Sequence, residues 1–428
     1  MTTHRAALTV SHDTSVVTSP VTSCAAMADD EHPAVTNFRT YLQINTAQPC
    51  PDYGEALMFF EAMAAEIGLE YRVVHLVAGK SVAILSLPGQ QPDLPSIMLY
   101  SHIDVVPVYP EHWKYPPFSA YKDENGDIYA RGSQDMKCVG IQYLEAVRSL
   151  MQQGIQLQRT VHIVFGPDEE IGAKEGMELF VEHEEFKKLN TGFALDEGLA
   201  SPTDVFRVFY SQRCVWWFSV TFTGQPGHGS AFIEDTAVSK LNKLMNRTLK
   251  FRAEQEAKLK ADPSLTLGDV TTLNINILKG GVQYNVVPAE MTAGFDMRVP
   301  PTANLEQLEA EIKSWCQEAG AEYTLEWTQQ GEDQDMTSTE DSNVWWSAFS
   351  KACQALNLKI KKEIFPAGSD GRYLRKLGIP VLGFSPMINT PVLLHDHNEY
   401  LNEQVFLNGI RVYEKIISSL ANVIEVEN

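Results

Sequence analysis

Short apolar runs alternate with helical segments along most of the chain, and this alternation limits the possible folds more than any other feature. Apolar residues recur at helical spacing in three early segments, 33–41, 54–68 and 138–152. Short, mostly apolar runs lie between or after them, at 81–87, 96–100, 160–165 and 192–195. Such runs are typical of strands that are covered on both faces. The alternation therefore predicts an α/β domain built on a largely parallel sheet.

The pattern changes near residue 211. An alternating strand at 215–223 is followed by a long amphipathic helix, two strands, a second helix and a last strand, which ends near residue 327. This β-α-β-β-α-β order is typical of ferredoxin-like folds. Helix–strand alternation resumes after about residue 337. We therefore predict a first part of an α/β domain at 31–210, an inserted α+β domain at 211–330, and the second part of the α/β domain at 331–428.

Composition argues against several classes of protein. The chain has 34 Lys+Arg and 55 Asp+Glu, a net charge of −21 that would repel nucleic acid. We expect no membrane span, because no apolar run approaches the ~20 residues that a spanning helix needs. Six cysteines lie far apart without a CxxC pair, which suggests reduced thiols and a cytoplasmic location. Residues 1–30 lack the apolar core of a signal peptide and are expected to form a disordered leader, within which Met27 is a possible alternative start.

Polar side chains that can bind metal follow five of the predicted strands. They are His102 and Asp104 after 97–100, Asp135 after 128–130, Glu169 and Glu170 after 161–165, Asp196 and Glu197 after 193–195, and His395 after 392–394. Catalytic groups of open α/β sheets gather beyond the carboxyl ends of the strands. If these strands share one sheet, the imidazoles and carboxylates converge on one edge.

Carboxylates that converge in this way need a cation. Their mutual repulsion would raise their pKa values until some took up protons, whereas a divalent ion neutralises them. Two histidines with three acidic residues and no thiolate suit catalytic zinc or a related ion, and one bridging carboxylate makes two ions plausible. A single acidic residue at a strand end is more often a helix cap. The joint placement of all five groups favours the metal site.

Three segments carry a more specific resemblance. Residues 101–107, 129–137 and 168–172 resemble the binuclear zinc amidohydrolases and carboxypeptidases of peptidase family M20. Residues 167–172, 193–198 and 393–397 are similar to a group in that family that hydrolyses N-acyl-L-amino acids. The resemblance extends from about residue 32 to residue 421.

The resemblance implies the ligands of two Zn²⁺ ions per subunit. One ion would be bound by His102, Asp135 and Glu197. The other would be bound by Asp135, Glu170 and His395, so that Asp135 bridges the pair. A cis peptide bond between Asp135 and Met136 is also implied.

Two further acidic residues receive roles from the resemblance. Asp104 would hold His102 in its metal-binding tautomer. Glu169 would act as the general base, taking a proton from water and returning it to the leaving nitrogen. These assignments predict a water-activating hydrolase.

The inserted domain would serve as a dimerisation and lid module of a homodimer. In the family, a histidine at the position of His228 crosses to the partner's active site and stabilises an oxyanion. Asn285 and Arg298 match substrate-binding positions, and the arginine would pair with a carboxylate. Gly368 and Arg372 match a loop near the substrate.

The resemblance implies zinc-dependent hydrolysis of N-acyl-L-amino acids to a carboxylate and a free L-amino acid. Two alternatives stay open: an M20 dipeptidase or carboxypeptidase, and a catalytically silent scaffold that binds partners. The sequence has neither a G-x-S-x-G elbow nor an HExxH motif, which argues against a serine hydrolase and against that class of metalloprotease.

Overall fold

The structure, a computed structural model, describes residues 31–424. The predicted leader, 1–30, lies outside the described residues. Within the described part the strands are β1 (Glu70–Val77), β2 (Lys80–Leu87), β3 (Ser96–His102), β4 (Tyr121–Lys122), β5 (Asp127–Tyr129), β6 (Val161–Gly166), β7 (Thr191–Asp196), β8 (Val205–Gln212), β9 (Cys214–Thr223), β10 (Gly227–His228), β11 (Thr272–Gly280), β12 (Val286–Val287), β13 (Glu290–Val299), β14 (Tyr323–Gln330), β15 (Lys359–Phe365), β16 (Val381–Phe384) and β17 (Tyr400–Asn402).

The helices of the same part alternate with these strands. They are α1 (Pro33–Gln43), α2 (Gly54–Ile67), α3 (Lys137–Gln152), α4 (Met177–Phe180), α5 (Glu184–Lys187), α6 (Ala237–Ala261), α7 (Leu305–Ala319), α8 (Val344–Ala355), α9 (Gly371–Lys376) and α10 (Glu403–Ala421). None of the described helices combines the length and apolar character needed to cross a bilayer.

Eight strands form the main sheet, in the order β1-β2-β6-β3-β7-β16-β8-β15. Four of its seven neighbouring pairs are parallel, namely β6–β3, β3–β7, β7–β16 and β8–β15. All seven residues of β3 and all six of β6 are buried, as their apolar runs predict for central strands. The predicted α/β class with a largely parallel sheet is confirmed.

Helices cover both faces of this sheet. On one face, α1, α2, α3 and α10 bury a core that includes Phe38, Phe60, Val147, Phe165 and Ile416. On the other face, α4, α5 and α9 pack over the opposite side of the same strands, and this second core includes Met98, Tyr100 and Phe180. Because helices cover both faces, side chains of the central strands can reach a crevice at the ends of the strands.

A four-stranded antiparallel sheet lies within 214–330, in the order β11-β13-β9-β14. Its chain order with α6 and α7 is β-α-β-β-α-β, as predicted. The two helices pack on one face of the sheet over a separate core that contains Trp216, Phe218, Leu244, Phe295 and Trp315. The limits of the domains, 31–210, 211–330 and 331–428, stay a prediction.

The sequence analysis missed three strands of the main sheet and proposed one that does not form. β1, β8 and β15 were not predicted, whereas 392–394 was taken as a strand. Residues 385–399, between β16 and β17, contain no helix or strand. His395 therefore lies in an irregular segment and not at the end of a strand.

Candidate metal centre

Three of the predicted metal-binding segments meet because β6, β3 and β7 are parallel neighbours in the sheet. His102 is the last residue of β3. Glu169 and Glu170 begin a 3₁₀ turn, Glu169–Ile171, shortly after β6, and Glu197 directly follows β7. The carboxyl ends of parallel strands open into one crevice, so these side chains share it.

The other two segments reach the crevice by different routes. Asp135 lies on the turn between β5 and α3, and β5 belongs to a small separate sheet with β4 and β17. The peptide bond between Asp135 and Met136 is cis, as the resemblance implied. His395 arrives on the irregular segment 385–399. The expectation that five strands of one sheet end in these groups was therefore wrong, since three do.

Asp135 lies between the two imidazoles. Its Oδ1 is 3.1 Å from Nε2 of His102, and its Oδ2 is 3.1 Å from Nε2 of His395. The Nε2 of His395 is also 3.1 Å from Oε2 of Glu170. On the other side, Nε2 of His102 is 3.8 Å from Oε2 of Glu197. The structure thus brings all five predicted ligands together, with one carboxylate facing both histidines.

Burial and close neighbours shift the pKa values of the acidic groups and histidines in this crevice. Burial raises the pKa values of Glu169, Glu170 and Glu197, and the charges of neighbouring carboxylates raise them further. For His102, burial lowers the pKa, but hydrogen bonds to three surrounding carboxylates outweigh it and raise the value well above normal. Hydrogen bonds to Asp135 and Glu170 raise the pKa of His395 to about 10. These shifts favour the protonated forms of the three glutamates and the two imidazoles, and a bound cation would oppose them.

Divalent metal ions fit this set of groups. Donor atoms of His102, Asp135 and Glu170 lie within 4.8 Å of one another, and so do those of His102, Glu169 and Glu197. Oε1 of Glu170 is buried without a hydrogen-bond partner in the described structure. An unpartnered buried carboxylate oxygen is costly unless something binds it. Nitrogen and oxygen donors without thiolate suit zinc or a related first-row ion.

Asp104 organises this centre through its main chain as well as its carboxylate. Nδ1 of His102 is 2.9 Å from the carbonyl oxygen of Asp104 and 3.6 Å from its Oδ1. Because a carbonyl only accepts, Nδ1 carries a proton, and Nε2 is the nitrogen that would bind metal. The Asp104 carboxylate accepts the main-chain N–H groups of Glu169, at 3.0 Å, and Glu170, at 3.2 Å. One residue therefore orients three others.

Asp168 holds the same turn, and the sequence analysis gave it no role of its own. Its φ of 68° is left-handed, a conformation that costs a non-glycine residue roughly 1–3 kcal/mol. Oδ1 of Asp168 accepts from Tyr53 Oη at 2.7 Å and from Lys80 Nζ at 2.7 Å. The adjacency of Asp168 to Glu169 was a usable signal in the sequence. Nothing local to Tyr53 or Lys80 indicated this contact.

A cavity of about 830 Å³ extends from the metal-binding groups to the four-stranded sheet. Glu169, Glu170 and His395 line one end, and Arg298 on β13 lines the other. The guanidinium of Arg298 forms two hydrogen bonds to Asp296, from Nε at 2.7 Å and from Nη2 at 3.0 Å.

The predicted loop residues Gly368 and Arg372 also line this cavity. Arg372 donates to the carbonyl oxygens of Ser369, at 2.9 Å, and Gly172, at 3.0 Å. Its guanidinium is thereby fixed beside the glutamates.

The remaining predicted residues, His228 and Asn285, lie apart from the metal-binding groups. His228 is the last residue of β10, and Asn285 directly precedes β12, the strand that pairs with it. Both residues are exposed, and the main-chain N–H of Gly229 donates to the carbonyl of Asn285 at 2.8 Å. His228 contacts Ser230 through Nδ1 at 2.8 Å. Neither His228 nor Asn285 lines the cavity described above. The structure brings these two residues together, but not to the centre of their own chain.

Comparison with known proteins adds independent information. Residues 98–419 match the model of peptidase family M20/M25/M40. The chain is 55% identical over 395 residues to aminoacylase-1 of Mus musculus, covering 92% of this chain and 97% of that protein.

Solved structures agree on the fold. An M20 family metallo-carboxypeptidase from Sulfolobus solfataricus superposes with a TM-score of 0.70 at 17% identity, covering 91% of this chain and all of that one. A dinuclear metal-binding peptidase of the M20 family from Bacillus subtilis has a TM-score of 0.66 at 15% identity, covering 91% of this chain and 98% of that one. From the sequence match and the shared fold together, this chain belongs to peptidase family M20/M25/M40, whose members are metal-dependent hydrolases.

Proposed function

We propose that this protein hydrolyses N-acyl-L-amino acids to a carboxylate and a free L-amino acid. The observation that carries the proposal is the 55% identity, over 92% of the chain, to an enzyme named aminoacylase-1. The clustered histidines and carboxylates supply the groups that such a reaction needs.

Two metal ions, which we propose to be zinc, would be held by five residues. His102, Asp135 and Glu197 would hold one, and Asp135, Glu170 and His395 the other. The support is the position of Asp135, whose two oxygens face different imidazoles at 3.1 Å each. When bound, such a pair of ions supplies Lewis acidity that lowers the pKa of water and polarises a carbonyl.

Glu169 would move the proton. Its carboxylate lies with His102 and Glu197 at the cavity wall, where burial raises its pKa. It would accept a proton from the attacking water as the new C–O bond forms at the acyl carbon. It would then give that proton to the amide nitrogen as the C–N bond breaks. A raised pKa suits both steps, because the proton must be returned as well as taken.

Arg298 and Arg372 would bind the carboxylate of the amino acid, and Gly368 would allow the substrate to approach the main chain. Both guanidinium groups line the cavity that Glu169 and His395 also line. A substrate carboxylate would have to compete with Asp296 for Arg298, or use its Nη1, which does not contact Asp296. The amide would then lie between this anchor and the metal centre.

A homodimer would complete the site. His228 and Asn285 would reach the cavity of the partner subunit, where His228 would stabilise the oxyanion and Asn285 would bind substrate. Large apolar side chains near these two residues are strongly exposed, among them Val282 at 93%, Phe232 at 106% and Tyr284 at 108%. Exposed apolar groups in one patch are typical of interaction sites. We expect the second copy to cover them.

We further propose a cytoplasmic location and no nucleic-acid partner. The described cysteines are all free thiols, at positions 50, 138, 214, 316 and 353, as a reducing compartment would leave them. The net charge of −21 argues against nucleic acid.

Substrate comparison tests the proposed activity. The purified protein should turn over N-acetyl-methionine much faster than unblocked dipeptides, and the reverse preference would indicate a dipeptidase or carboxypeptidase. Removal of metal with a chelator should abolish the activity, and zinc or cobalt should restore it. A metal-replete protein without activity on either substrate class would support the silent scaffold instead.

A further inference from the structure

The segment that carries His395 has no regular structure to hold it. Residues 385–399 contain no helix or strand. His395 itself has a φ of 61° and Asn398 a φ of 58°, both left-handed. Non-glycine residues remain in this conformation only where the surroundings hold them. The groups that hold this segment therefore decide where the imidazole of His395 lies.

Gln134, the residue before Asp135, holds the segment through its side-chain amide. Its Nε2 donates to the carbonyl oxygens of Pro391, at 3.0 Å, and Tyr400, at 2.8 Å. Its Oε1 accepts from the main-chain N–H of Leu393 at 3.0 Å. These contacts flank His395 on both sides, and the side chain of Gln134 is buried.

Glu399, near the end of the same segment, holds the turn that carries Asp135. Its fully buried carboxylate accepts four N–H groups. The donor atoms are Arg131 Nη1 at 2.8 Å, Gly132 N at 3.1 Å, Gln134 N at 2.6 Å and Asp135 N at 3.3 Å. Each segment thus supplies one side chain that fixes the main chain of the other.

We propose that Gln134 and Glu399 are positioning residues that set the distance between the metal-binding atoms of Asp135 and His395. The inference rests on the proposed metal centre. Asp135 and His395 are 260 positions apart in the sequence, and His395 follows no strand of the main sheet. The pairing of β5 with β17 and the main-chain N–H of Ala130, which donates to the carbonyl of Glu399 at 3.1 Å, also join the two segments. The reciprocal clasp, defined by Gln134 and Glu399, adds the side-chain hydrogen bonds that lie next to Asp135 and on both sides of His395. Side chains that orient metal ligands typically change metal affinity roughly 10–100-fold.

A matched pair of variants separates positioning from general stability. Gln134→Met keeps the volume of the side chain and removes all three hydrogen bonds. Gln142→Met makes the same change on α3, where Gln142 is also buried and donates to a carbonyl of the C-terminal part, that of Phe406 at 3.0 Å. Gln142 is bonded to neither of the clasped segments in the described structure. The full-length proteins are titrated with zinc against a chromophoric chelator, and the metal-free forms are unfolded in urea.

We expect Gln134→Met to weaken the binding of one of the two zinc ions roughly 10–100-fold. His395→Ala identifies that ion, because it should lose the same one. Gln142→Met should keep both affinities, although both glutamine variants lose stability in urea. Equal zinc affinities in Gln134→Met and Gln142→Met would overturn the clasp while leaving the metal proposal intact. If the unmodified protein bound no zinc, the metal proposal and the clasp would fall together.

Glu399→Gln provides a second test if Gln134→Met does not fold. This change keeps the size of the side chain but turns an amide NH₂ toward the N–H groups of Gln134 and Asp135. We expect this change to weaken the binding of the same zinc ion. Unchanged zinc affinity in a folded Glu399→Gln protein would contradict the clasp.

Discussion

Glu169 and Glu170 are neighbours in the chain but face different groups. Oε2 of Glu170 contacts His395 at 3.1 Å, whereas Glu169 lies with His102 and Glu197. The 3₁₀ turn makes this divergence possible, because successive side chains on it point in different directions. The carboxylate of Asp104 fixes the turn by accepting both main-chain N–H groups. Two adjacent residues of one type can therefore serve as base and ligand.

We expect Glu169→Gln to retain both metal ions and lose about 10²–10⁴ in kcat, the range that general acid–base catalysis contributes. The amide keeps the shape of the side chain but cannot carry the proton. Steady-state kinetics and metal analysis of the same preparation check this. Glu175→Gln, at an exposed position five residues after Glu170, makes the same change in charge and should behave like the unmodified protein. Near-normal turnover in Glu169→Gln would show that another group is the base.

His162 is a buried histidine on β6, away from the groups of the candidate metal centre. Its Nδ1 is 2.8 Å from Ser86 Oγ. Burial, with the charge of Arg72, lowers its pKa to about 4 from the ordinary 6.5. Between these values the unfolded chain binds the proton and the folded chain does not. This contribution to stability is present above about pH 6.5 and is lost as the pH falls toward 4.

We therefore expect His162→Gln to flatten the acid side of the stability profile. The difference in unfolding free energy between the two proteins should change by up to about 3 kcal/mol between pH 7 and pH 4. Urea unfolding of both metal-free proteins at a series of pH values measures it, and groups common to both cancel in the difference. Parallel profiles would mean that folding does not change the pKa of His162.

At the scale of elements, α3 lies directly on β3 and β6, the strands that deliver His102 and the two glutamates. A Cβ at Gly140 would lie 2.6 Å from Cε1 of Phe165 and 3.0 Å from Oγ of Ser101. Both distances are too short for an ordinary contact. The glycine therefore permits the close approach of helix and sheet.

We expect Gly140→Ala to destabilise the protein by about 1–3 kcal/mol, the usual range for overpacking a core. Helix propensity alone would make the alanine variant more stable by about 1 kcal/mol. A loss of stability would therefore support the packing argument. Ser149→Ala on the same helix, at a half-buried position, is the control and should be nearly neutral. A stabilised Gly140→Ala variant would show that α3 can move away from the sheet.

At the scale of the whole molecule, the groups of the proposed site are divided between two surfaces. Glu169, Glu170, His395 and the two arginines line one cavity, while His228 and Asn285 lie at the exposed β10–β12 hairpin. The proposed homodimer would bring the two sets of groups together across the subunits.

Mixed dimers test this arrangement. We expect His228→Ala and Glu169→Gln homodimers each to be nearly inactive. Subunits of the two variants, mixed and allowed to exchange, should recover about a quarter of the unmodified activity, because half of the dimers are mixed and each has one intact site. Absence of recovery, with subunit exchange verified by a mass tag, would show that His228 does not act across the dimer.

Periodicity in the sequence was sufficient for the elements that bury a continuous face. The central strands β2, β3, β6 and β7 and the helices α1, α2 and α3 were predicted within a few residues, since their apolar patterns reflect burial. β1 and β15 were missed because they are edge strands with exposed charged residues, such as Lys359, Lys361 and Lys362 on β15. The apolar pattern of the sequence does not reveal a strand that buries few of its side chains.

The types of chemical group at the candidate site were determined by the sequence alone, because histidines and acids that follow apolar runs can be recognised in the sequence. Their arrangement was decided by the tertiary structure. The order β6-β3-β7 brings three segments together, and the contacts of Gln134 and Glu399 bring in a fourth and a fifth. Hydrogen bonds between residues 257 to 268 positions apart leave no local signal, since neither partner changes the pattern around the other. The sequence could therefore predict which groups gather in the crevice, but not what holds them there.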